Sequence, residues 1–148
     1  KNYLFLLSGI KHCDEYLLSM SKNFARKFGQ KNVFIKFHPI LPSKSFKGIY
    51  ANEIRGNGSD IIQKSKVVVT SSYTSGLYES LVYNSYTIMI DFTPLDGILY
   101  KELKKYSKYI LFCKNSKDLF NIIKSLNIQK VKNIKKHNTK VKKIFFNR

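Results

Sequence analysis

A chain of 148 residues, 43% hydrophobic and 14% aromatic, fits one compact core. It has no apolar run near the roughly 18 residues that span a bilayer, and Lys1 to Ile10 is too short for a signal peptide and lacks a small-residue cleavage pattern, so a soluble, cytoplasmic domain is expected. The formal net charge of +18 would draw in phosphates, anionic lipid headgroups or nucleic acid, although the A/T-rich codons of Lys, Asn, Ile, Tyr and Phe can raise a lysine count with no partner involved.

Tyr3 to Leu7 is a short apolar run that reads as a buried strand ended by Ser8 and Gly9. A helix follows, with Asp14 as its expected cap, Leu17, Met20, Phe24 and Phe28 on one face, and Gly29 as its stop. Val33 to Phe37 is a second strand that exits through His38 and Pro39, and Pro42 keeps the following loop extended. Gly48 to Ala51 suggests a short strand, and Gly56, Asn57, Gly58 and Ser59 form a turn before a helical segment from Asp60 to Ser65.

Lys66 to Thr70 carries three consecutive valines, as a parallel strand buried on both faces would. Ser71, Ser72, Tyr73, Thr74, Ser75 and Gly76 then make a hydroxyl-rich turn into a helix striped by Leu77, Leu81 and Val82. Tyr86 to Ile90 is a further strand closed by Asp91 and Pro94, and Leu99 with Leu103 marks a helix. Tyr109 to Cys113 is the last strand, and Ser116 is expected to cap a helix bearing Leu119, Ile122, Ile123 and Leu126. The alternation implies an α/β domain over residues 1–128, with a mostly parallel sheet and helices on both faces.

Residues 129–148 form a basic tail in which Val131, Ile134, Val141 and Phe145 outline an amphipathic helix interrupted at Asn138; no acidic residue follows Asp118. Such a helix suits either an anionic membrane surface or a neighbouring domain. Cys13 and Cys113 are isolated thiols, read as reduced, and His12 beside Cys13 lacks a second ligand pair at zinc spacing, so no metal is expected.

Ligands in such sheets bind beyond the carboxyl ends of the strands, which here carry Ser8, His38, Ser71 and Asp91. His38 can project over the sheet with Pro39 fixing the next backbone angle, and Lys36 should share its side. The alternative for His38 is an exposed loop histidine. The Ser71 to Gly76 turn puts hydroxyls and free N–H groups at a positive helix end, suited to an anion. A plain Ser/Thr cap would account for one or two of those hydroxyls.

VFIKFHP followed by SKVVVTSSYTSGLYESL resembles the carboxyl-terminal half of bacterial GT-B glycosyltransferases, in particular sialyltransferases and related capsule enzymes with HP and SS motifs. The likeness runs from about Tyr3 to Leu126. It implies a Rossmann-like domain that binds a CMP-activated sugar and acts without a metal or other cofactor. In it His38 would contact the phosphate and help the nucleotide leave, Ser71 and Ser72 would bind that phosphate with Pro39, Thr74, Ser75 and Gly76 around it, and Glu79 or Glu53 would accept the ribose hydroxyls. It further implies a glycan acceptor, lipooligosaccharide or capsule, and an amino-terminal half that bears the general base; Asp14-Glu15 is followed by Tyr16 and does not match the family's acidic Gly motif. Another nucleotide-sugar or CDP-polyol donor is the neighbouring alternative. A basic nucleic-acid-binding module with stacking aromatics is the alternative from another class.

Overall fold

The computed structural model describes residues 2–48, 51–56, 58–71, 76–82, 86–90 and 110–128. Ser72, Thr74 and Ser75, the segment with Asp91, Pro94, Leu99 and Leu103, and the basic tail lie outside them. Chain order runs β1 (Tyr3–Leu6), α1 (Lys11–Phe28), β2 (Val33–Lys36), β3 (Asn52–Glu53), α2 (Gly58–Lys64), β4 (Val67–Thr70), α3 (Gly76–Val82), β5 (Tyr86–Ile90), β6 (Leu111–Cys113) and α4 (Ser116–Ile128).

Among the described residues six strands form one sheet in the order β3-β2-β1-β4-β5-β6, and every pairing is parallel. The chain builds outward from β1 in one direction, then returns to β1 and builds the other way. The resulting crevice lies between β1 and β4, where the strand order reverses.

Burial follows from the two-residue period of the strands. Tyr3, Phe5 and Leu7 face one layer with Leu17, Met20 and Phe24 of α1 and Leu119 and Ile123 of α4. Leu4, Leu6 and Val68 face the other with Ile62 of α2. Both faces of the central strands are therefore covered, as continuous apolar runs require. Phe24 binds the first layer together: its ring meets Tyr3 and Phe5 edge-on at 5.5 Å and stacks on Phe120 of α4 at 4.9 Å. Across the sheet, the buried hydroxyls of Ser80 on α3 and Thr87 on β5 lie 2.9 Å apart, and Ser80 also donates to the Leu77 carbonyl.

Three local expectations need correction. The third strand is Asn52–Glu53, not Gly48 to Ala51; Asn52 is drawn in by side-chain bonds to the carbonyls of Gln30 and Val33. Asp14 does not cap α1, because Ile10 holds that position and its carbonyl accepts the Asp14 N–H at 2.9 Å. Asn115 rather than Ser116 caps α4, its Oδ1 accepting the Asp118 N–H at 3.0 Å while Asp118 Oδ2 accepts from the Lys114 N–H. The stop at Gly29 is as read: φ there is +91°, and its N–H closes the helix on Ala25.

Candidate functional site

Three segments leave the sheet side by side at the crevice. The register sets Leu6 beside Lys36 on one flank of β1 and Phe5 beside Val69 on the other. Leu7 to Gly9 therefore emerges between the exit of β2, which carries His38, and the exit of β4, which carries Ser71. Neighbouring strands lie about 4.8 Å apart, so His38 and Ser71 start about 10 Å from one another across β1.

The imidazole spans part of that gap by leaning onto the middle segment. A Cβ on Gly9 would lie 2.8 Å from His38 Nδ1 and 3.0 Å from its Cγ, so the ring rests on the bare Cα of Gly9. Gly9 holds φ at +83°, where a side chain is also disfavoured by the backbone. His38 Nδ1 accepts the Ile40 N–H at 3.2 Å. In the neutral ring this assigns the proton to Nε2.

The turn beneath the ring is tied down by a residue that sequence reading gave to a different job. Asp14, fully buried in the first turn of α1, accepts the N–H and the Oγ–H of Ser8 on Oδ1 at 2.7 and 2.9 Å, and the Gly9 N–H on Oδ2 at 2.9 Å. Successive N–H groups around a left-handed residue make an anion-binding nest. Here the protein's own carboxylate fills it. The pattern S-G-x-x-x-x-D could have hinted at this, but that spacing equally suits an ordinary helix start.

The remaining expected site residues are distributed around this centre. Ser71 is fully buried at the exit of β4, and Gly76 opens α3. Glu79, in the first turn of α3, accepts the Ser59 hydroxyl at 2.7 Å and so joins α3 to α2. Glu53 lies on the far flank, on β3, 3.6 Å from the exposed Arg55. Lys36 reaches the carbonyl of Gly56 at 2.6 Å and so is engaged with the turn before α2, while Pro39 is exposed next to His38.

Beyond the crevice, a cavity of about 500 Å³ opens between α1 and the loop after β2; Lys11, Lys22 and Lys47 line it with Glu15, Leu18 and Phe46. Its Lys11 end is two residues from Gly9. Among the described residues, no three His, Cys, Asp or Glu side chains gather as a metal-ligand set, and no helix is long and apolar enough to cross a membrane. The one large apolar side chain fully open to solvent among them is Ile40. The aromatic side chains that are described are buried or half-buried.

An open parallel sheet in this strand order, flanked by helices and with its crevice at the reversal point, defines a Rossmann-like α/β domain. Within that class the chain is similar in structure to ALG13, solved in solution by NMR, with a TM-score of 0.61 at 13% sequence identity over 97% of this chain and 94% of that one. No family model matches the sequence, and no curated protein does.

Proposed function

We propose that this domain binds the donor of a glycosyltransferase of GT-B type, with a nucleotide-activated sugar as the ligand at the β1/β4 crevice. The observation that carries the reading is the His38 ring lying on Gly9 where the strand order reverses, its Nδ1 taken by the Ile40 N–H and its Nε2 without a hydrogen-bond partner among the described residues. The HP and SS motifs, and the fold shared with ALG13 over nearly the whole chain, support the same class.

In transfer, the bond from the anomeric carbon to the donor phosphate breaks, an acceptor hydroxyl oxygen bonds to that carbon, and its proton passes to a base. Negative charge grows on the departing phosphate. A donor already aimed at that charge lowers the barrier, and the loss of one such donor typically costs on the order of 100 to 1,000-fold in rate. His38 Nε2–H has this role in the proposal. Because Asp14 occupies the nest at β1, the phosphate would be received by the hydroxyl-rich sequence that follows β4, with Ser71, Ser72, Thr74 and Ser75 as its partners.

Within this class we favour a CMP-linked acidic sugar such as sialic acid, transferred to a lipooligosaccharide or capsule glycan. The cavity lined by Lys11, Lys22 and Lys47 adds local positive charge suited to acidic sugars on donor or acceptor. Glu79 would take the ribose hydroxyls in exchange for Ser59. A companion amino-terminal half would supply the general base, and the basic tail would reach an anionic membrane surface. Titration calorimetry with CMP, CDP and UDP tests the reading. Binding of CMP that His38→Ala weakens at least tenfold is expected, and absence of binding by any of the three would overturn it.

A further inference from the structure

We propose that Asp14 is a positioning residue for His38, acting through the Ser8–Gly9 turn, and that it thereby sets the direction in which the imidazole presents Nε2–H to a ligand. The importance of that direction for phosphate rests on the function proposed above; the positioning itself does not.

Asp14 reaches His38 through the turn between them, and each link is short. Its two carboxylate oxygens hold the N–H groups of Ser8 and Gly9 and the Ser8 hydroxyl within 2.9 Å. Ser8 Oγ in turn accepts the Ile10 N–H at 3.2 Å, which closes the turn onto the start of α1. This network holds Gly9 at φ +83°, and the His38 ring uses the space left by the missing side chain.

On the other side, the Ile40 N–H bonds to Nδ1. The ring is thus held between a backbone donor and a backbone surface, and only the second depends on Asp14. Charge-assisted bonds to a buried carboxylate are strong and directional, so the turn has little freedom while they persist. An amide at position 14 could accept on one atom but not on both. It would leave one turn N–H without an acceptor, and the surface under His38 would move.

Long-range proton–nitrogen spectra of the full ¹⁵N-labelled chain at about pH 8, where imidazoles are neutral, test this directly. Wild type should show His38 as a single Nε2–H tautomer. Asp14→Asn should leave that tautomer in place, because the Ile40 N–H sets it, but should shift the His38 ring signals and weaken the ring's contact with Gly9 while the exposed His12 stays unchanged, and any CMP affinity should fall about tenfold, the cost of one misdirected charge-assisted hydrogen bond. Gly9→Ala, with Asp14 intact, should disturb the same ring signals. Unchanged His38 signals in folded Asp14→Asn would overturn the proposal. If that variant does not fold, Ser8→Ala and Gly9→Ala decide by the same criterion. A wild type that binds no nucleotide would refute the proposed function, whereas the ring spectra would still report on the positioning.

Discussion

His38 and Gly9 are in van der Waals contact across the exits of β2 and β1, the imidazole seated where any other residue at position 9 would place its Cβ, 2.8 Å from Nδ1. The contact joins two segments far apart in sequence. It also makes one glycine answer two demands, a positive φ and a close approach by a ring.

Gly9→Ala should therefore cost more than backbone strain alone. The left-handed conformation by itself penalises a side chain by about 1–2 kcal/mol, and relief of the overlap must displace His38. Urea unfolding should show a loss of about 2 kcal/mol or more. A loss below about 0.5 kcal/mol, with the His38 ring signals unmoved, would mean that the turn yields freely.

Phe24 is the ring on which β1, α1 and α4 converge. Phe24→Ala should lower stability by about 3–5 kcal/mol, the usual cost of emptying a well-packed aromatic site. Phe24→Leu should recover part of that loss. Equal effects of the two substitutions in chemical denaturation would show that shape at this position is unimportant.

The Ser80–Thr87 hydroxyl pair couples α3 to β5 inside the protein. Thr87→Val should cost about 1 kcal/mol, because a single neutral hydrogen bond is lost while Ser80 keeps its bond to Leu77. In a double-mutant cycle with Ser80→Ala the two losses should be non-additive. Strict additivity would argue against direct coupling.

Alkaline pH should destabilise the fold through its buried phenols. Burial raises the Tyr3 pKa above its ordinary 10.0. Tyr16 is raised likewise by burial, with Cys113 and Asp118 adding to the shift, and its hydroxyl donates to the Lys114 carbonyl at 2.9 Å. A raised folded value means that the unfolded chain ionises first: the contribution is fully present below about pH 10 and is lost as pH climbs through the folded value. Melting temperature should fall above about pH 10, and Tyr3→Phe should make that fall shallower. An identical slope in the variant would remove Tyr3 from the account.

The strands at Tyr3, Val33, Val67 and Tyr86 and the helices opened by Lys11 and Ser116 could all be read from the chain, because apolar spacing and turn residues act within a few positions of one another. The crevice-facing ends of β2 and β4, with His38 and Ser71, were legible for the same reason. Misread positions were those at which a side chain chose between partners. Asp14 could cap its own helix or fold back onto Ser8 and Gly9; Asn115 displaced Ser116 as the cap of α4.

Sequence alone thus settled that alternating strands and helices would form a parallel α/β sheet, since hydrophobic period and backbone preference are local quantities. Only the tertiary structure decided that β1 lies between β2 and β4, that Gly9 sits beneath His38, and that a buried carboxylate fills the first turn. Those outcomes depend on which distant groups packing brings within hydrogen-bond reach, and a hydrogen-bonding group removed from water must take the partner that the assembled fold provides.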